Sequence, residues 1–98
     1  MSMHNPAHPG EILKELIIIP LNLTITDVAK HLNISRKTLS KIINQRGIIT
    51  PEMALRLELV FKKPSADHWL KLQNAHDLWQ SRLNKSSLKV MPYDELCA

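Results

Sequence analysis

Apolar residues recur along the chain in steps of three and four, and the breaks between the recurring stretches carry capping residues. Pro9 and Gly10 precede EILKELII, in which Ile12, Leu13, Leu16 and Ile17 share one helical face. Pro20 ends that stretch because its ring disfavours helical backbone in the residue before it. Helix one is therefore predicted over about residues 10 to 18. Thr24 with Asp27 three residues on reads as a capping box, and Ile25, Val28, Ala29 and Leu32 follow the i, i+3, i+4, i+7 spacing of a helix over about 25 to 32. Asn33 tolerates the left-handed conformation that ends a helix, and Ser35 caps a third, over about 36 to 44, whose Leu39, Ile42 and Ile43 face inward. Thr50, Pro51 and Glu52 are a cap, a first-turn proline and a dipole-matched acid; they open helix four, with Met53, Ala54, Leu57, Val60 and Phe61 inward. Ser65 and Asp67 open a long helix five, reaching about Lys85. The pattern predicts an all-α domain over residues 1–85, with a tail over 86–98, extended or disordered, that contains Pro92 and has no period.

Helices two and three are short, joined by Asn33-Ile34-Ser35, with small Ala29 where they must approach and Ile34 filling the elbow. That combination is a helix-turn-helix, whose second helix lies in the DNA major groove with its N-terminal residues at base edges. The positions expected to meet bases are Arg36, Lys37, Thr38, Ser40 and Lys41: cations for guanine acceptors, hydroxyls that donate or accept, and a threonine methyl. Thr24 and Thr26 at the start of helix two, with Ser35, Asn44, Gln45 and Arg46, are the expected phosphate contacts.

Charge sharpens this reading. Val28 to Pro51 contains no Asp or Glu, but holds Lys30, Arg36, Lys37, Lys41 and Arg46. The whole chain is +4, so these five cations leave −1 for everything else. A solvated helix face ordinarily mixes signs, whereas a one-signed block in one motif fits a polyanionic partner. Only two glycines and four aromatics disfavour a β-sandwich or a glycine-rich nucleotide site. The single cysteine, Cys97, cannot form an internal disulfide, no apolar run approaches the ~18 residues of a membrane span, and MSMHNPAHPGE lacks a signal-peptide pattern. A cytoplasmic protein is expected.

Other chemistry is weakly supported. His4 and His8 are four apart but precede helix one beside prolines, so they do not share a helical face as zinc ligands would. His68 and His76 fit a helix face, and Asp67 and Asp77 lie too far apart along one helix to act as an acid/base pair. No catalytic residue, metal or cofactor is expected. In helix five, Trp69 and Leu72 suit the core, whereas Trp79 and Leu83 lie beyond what a core of this size covers and are expected to meet a partner, most simply a second copy.

HPGEIL, VAKHLNISRKTLSKIIN, RGIITPEMALRL and WLKLQNAHDL, spread in order over residues 5 to about 80, resemble HigA-type antitoxins, also called virulence-associated protein I, of the phage-repressor-like (XRE) helix-turn-helix class. The resemblance implies a five-helix, lambda-repressor-like domain that forms a homodimer, and because one helix-turn-helix buries too little surface for strong specific binding, a two-fold dimer on a palindromic double-stranded operator is expected. It further implies repression of its own operon and neutralisation of a RelE-like, mRNA-cleaving HigB toxin. The alternative is a stand-alone XRE regulator with no toxin; an RNA-binding or small-molecule-modifying protein would need stacking aromatics or a catalytic cluster. Asn22 and Asn33 stand where the family commonly has glycine, Ile19 stands where an acid is expected, and the tail after Leu83 matches no family pattern. Ile18 and Ile19, beyond the buried positions of helix one, are expected to be partly exposed and, with Pro20 and Leu21, to form a patch for a toxin or a second protomer, the alternative being burial under the N-terminal arm Met3 to His8.

Overall fold

Each α-helix begins on a side chain that accepts a backbone N–H left free by the first turn. In the computed structural model, which describes residues 5–93, these helices are α1 (Pro9–Leu13), α2 (Ile25–Leu32), α3 (Arg36–Ile43), α4 (Pro51–Phe61) and α5 (Ala66–Leu83). No strand occurs among the described residues. Thr24 accepts from the Asp27 amide at 3.1 Å, Ser35 from Thr38 at 3.0 Å, Thr50 from Met53 at 3.2 Å and Ser65 from His68 at 3.3 Å. These are the four caps expected from sequence. Asn22 and Asn33 both adopt left-handed backbone with φ 56°, as asparagine permits. The Ile34 amide then donates to the Ala29 carbonyl at 3.0 Å, closing the turn between α2 and α3.

The core is one cluster that draws on all five helices. Leu13, Val28, Ala29, Leu32, Leu39, Ile42, Ile43, Met53, Ala54, Leu57 and Trp69 are buried, and Trp69 seals the side that α5 covers. Every one of these stands at a position expected to face inward. Farther along α5, Trp79 is half-buried and Leu83 is exposed.

The first helix departs from expectation. After Leu13 the chain passes into a π-helical turn, Lys14–Ile18, in which the Ile19 amide reaches back five residues to the Lys14 carbonyl at 3.0 Å. A π turn holds one residue more than an α turn, so positions beyond it rotate by about 100° relative to a continuous α-helix. The residues that follow Leu13 into the core are consequently Ile17 and Ile18 instead of Leu16 and Ile17. Leu16, expected inside, is 65% exposed, and Ile18, expected at the surface, is 4% exposed. Ile19 does remain outside, at 55%. Past α5, Lys85–Leu88 forms a 3-10 turn. His4 and Cys97 lie outside the described residues.

Candidate nucleic-acid interface

α3 is gripped on one side and bare on the other. Leu39, Ile42 and Ile43 anchor it, while Arg36, Lys37, Ser40 and Lys41, together with Asn44 and Arg46 just beyond its end, line one open groove. Asn44 Nδ2 donates to Ser40 Oγ at 3.3 Å, which sets the two hydrogen-bonding side chains side by side among the cations. The ion-pair contacts among the described residues are Arg56–Glu52 and His76–Asp77, so no carboxylate neutralises Arg36, Lys37, Lys41 or Arg46. A concave surface with four unneutralised cations and two amide or hydroxyl groups is suited to phosphates flanking hydrogen-bonding base edges.

The other expected contacts lie outside the groove lining. Thr24, Thr26, Ser35, Thr38 and Gln45 are exposed. Thr24 and Ser35 hold the N-termini of α2 and α3, and Ser35 also donates its hydroxyl proton to Thr38 Oγ1 at 2.8 Å. Gln45 takes left-handed backbone, φ 64°, at the exit from α3. Of the residues expected to meet a partner, Ile18 is buried and withdrawn from that role by the π turn, whereas Ile19 and Leu83 are open to solvent and Trp79 partly so.

Three polar residues outside the groove lining bind distant backbone groups; of these only His8 was weighed from sequence, and as a metal ligand. Arg56, on α4, donates from Nη1 to the Leu32 carbonyl at 2.8 Å and to the Asn33 carbonyl at 3.3 Å, and from Nη2 to Glu52 at 2.8 Å. It therefore satisfies the carbonyls at the C-terminus of α2, where the turn into α3 begins. Gln73, buried on α5, accepts the Ile49 amide on Oε1 at 2.7 Å and donates from Nε2 to Asp77 at 2.9 Å. His8 caps α1: its Nδ1 accepts from the Gly10 amide at 2.9 Å, and its Nε2 donates to the Gly47 carbonyl at 3.0 Å. Since Nδ1 faces an N–H and Nε2 a carbonyl, the ring is neutral with its hydrogen on Nε2. Burial pushes the His8 pKa below the usual histidine value and neighbouring His76 adds to that; the Gly47 hydrogen bond and the charges of Asp77 and Glu11 act the other way. The one local signal for these contacts was a polar residue, Gln73, four positions after Trp69 on the core-facing side of helix five.

Among the described residues no group of three His, Cys, Asp or Glu is placed to hold a metal ion. No helix there is long and apolar enough to cross a membrane.

Residues 13–72, which contain the groove, match the family described as helix-turn-helix. The chain belongs to that family. It is 45% identical over 82 residues to virulence-associated protein A of Dichelobacter nodosus, a match that spans 84% of this chain and 78% of the relative. Its fold is similar to that of the antitoxin GraA, with a TM-score of 0.84 at 29% identity over 92% of this chain and 99% of that one. It is likewise similar to the Pseudomonas aeruginosa antitoxin HigA, solved with the higBA promoter, at a TM-score of 0.80 and 29% identity, covering 89% of this chain and 97% of that one. The resemblance read from the sequence motifs thus agrees with both kinds of relative, and the helix-turn-helix of this family is the α2–α3 pair described above.

Proposed function

We propose that this chain is a cytoplasmic, sequence-specific DNA-binding antitoxin that acts as a homodimer, represses its own operon and neutralises a RelE-like toxin. The observation that carries the DNA-binding part is the groove on α3, where Arg36, Lys37, Ser40, Lys41, Asn44 and Arg46 converge with no neutralising acid among the described residues. Arg36, Lys37, Ser40 and Lys41 read base edges, Asn44 reinforces Ser40, and Arg46 at the groove's end takes a phosphate. The naming of its structural relatives as antitoxins, one of them solved with a promoter, supports the same reading.

A single helix-turn-helix of this size offers too little surface for tight specific binding, so the active form is a two-fold dimer with half-sites one helical turn apart or a multiple of it. Trp79 and Leu83, with neighbouring Leu78, give the outer end of α5 an apolar surface suited to a second copy. Leu16, Ile19 and Leu21 make a separate apolar patch beside α1, suited to the toxin. The test is titration of the chain against its own upstream DNA and a scrambled duplex, with sedimentation to determine the bound stoichiometry. Tight binding by a dimer to the upstream DNA alone is expected; equal affinity for both duplexes overturns sequence-specific repression. Co-expression with a neighbouring RelE-like reading frame separates the antitoxin from a stand-alone regulator of the same fold, since only the former co-purifies with a toxin.

A further inference from the structure

The loop that follows α3 carries Arg46 and is fastened by two kinds of hydrogen bond. Some are local: the Asn44 and Gln45 amides donate to the Ser40 and Ile42 carbonyls, and the Lys41 carbonyl accepts from the Arg46 amide at 2.8 Å and from the Gly47 amide at 3.0 Å. Two more come from distant parts of the chain. His8, 39 positions away, donates to the Gly47 carbonyl, and Gln73, 24 positions away, accepts the Ile49 amide. Both side chains are almost fully enclosed, at 4% and 6% exposure. The Gln73 amide cannot turn over, because Asp77 takes its Nε2 and so points Oε1 at Ile49. The His8 ring is held in the same way by the Gly10 amide on Nδ1, and it lies edge-on to His76 with ring centres 4.9 Å apart. Neither residue lines the groove.

Local hydrogen bonds to Lys41 end the helix, but they leave the direction of the chain past Gly47 undetermined. The two distant ties supply that direction, and they do so immediately after the residue that reaches for phosphate. We infer that Gln73 and His8 are positioning residues for DNA binding: from behind the groove they set the path of the Gly47–Ile49 backbone and thereby the aim of Arg46. This rests on the reading of Arg46 as a phosphate contact. A role limited to stability would lower the melting point and leave the DNA interaction of the folded protein intact; a positioning role alters the number of phosphates engaged.

The salt dependence of operator binding counts those contacts. The proposal is tested in the full chain with Gln73→Met, Arg46→Ala and the double variant, each shown to be helical at the temperature of the titration. Arg46→Ala is expected to lower the salt slope by about one unit. Gln73→Met is expected to weaken operator binding by about three- to tenfold and lower the slope toward the Arg46→Ala value, and the double variant to be no weaker than about the stronger-acting single change, since residues acting through one contact are not additive. A reduced slope in Arg46→Ala with the full wild-type slope in a folded Gln73→Met overturns the positioning role alone. An unchanged slope in Arg46→Ala removes Arg46 from the phosphate contacts, and the proposal falls with it. Should Gln73→Met not fold, the same cycle is run with His8→Asn, which keeps an acceptor for the Gly10 amide and loses the tie to Gly47 together with the ring contact to His76. Fully additive losses of affinity in that cycle overturn the proposal, and shared losses support it.

Discussion

Gly10 and Ile42 meet backbone to backbone. A β-carbon at Gly10 would overlap the Ile42 carbonyl oxygen, so the start of α1 rests directly on the last turn of α3. The obstacle is main chain and cannot rotate aside. Gly10→Ala is expected to push the two helices apart and destabilise the fold by ~1–3 kcal/mol or more, the range of overpacked cores. Urea denaturation of the variant checks this, and a midpoint equal to the parent's would show that α1 can shift off α3 freely.

Arg56 closes the far end of α2 by donating to the Leu32 and Asn33 carbonyls. Arg56→Met keeps the aliphatic stem and removes the donors. A loss of about 1–2 kcal/mol is expected from unpairing those carbonyls. Amide exchange should accelerate at the turn, around Asn33 and Ile34, more than in α5. Uniform acceleration along the chain would contradict a local role for the guanidinium.

Lys37 and Arg36 stand at the N-terminal end of the groove, and the proposed function assigns them to base edges. Substitution of either by alanine should cost ~1–3 kcal/mol on the cognate operator and flatten the preference among operator variants. Competition binding against single-base changes measures both. Equal losses on operator and random DNA would reassign these two cations to the phosphate backbone.

Acid should loosen the domain through His8. The folded protein holds this ring below the ordinary histidine value of 6.5, so in that interval the unfolded chain binds the additional proton. The stabilisation is therefore complete above the unfolded value and is lost as pH falls from about 6.5 toward the folded value. Protonation takes the acceptor away from the Gly10 amide and sets a charge beside His76. Melting points measured across this range should fall on acidification, and the fall should be shallower in His8→Asn. An equal acid response in both proteins would place the titrating group elsewhere.

The π turn changes which substitutions can test the patch beside α1. Ile18→Asp would place a carboxylate in the core and is expected to unfold the chain. Leu16→Asp with Ile19→Asp changes two exposed positions, so the helical spectrum should survive. If the patch receives the toxin, the folded double variant loses co-purification with it while operator binding by the dimer persists. Retained co-purification would exclude the patch as the toxin site.

The helical elements α2 to α5 were legible in the sequence because their determinants are local. Thr24, Ser35, Thr50 and Ser65 each cap an amide three residues on, and Asn33 ends α2 by its own backbone tolerance. The groove was legible for the same reason: once Leu39, Ile42 and Ile43 face inward, helical geometry turns Arg36, Lys37, Ser40 and Lys41 outward. Helix one was not. In LIII, residues 16–19, every side chain is apolar, so periodicity cannot rank Leu16 against Ile18. The choice belongs to the surrounding core, where burying one such side chain is worth ~1.5–3 kcal/mol, and a π turn admits Ile18 and expels Leu16. The ties made by His8, Gln73 and Arg56 were hidden too. Their partners are backbone groups 23 to 39 positions away, and every residue carries an N–H or a carbonyl of the same kind, so only the packed fold decides which ones these side chains meet.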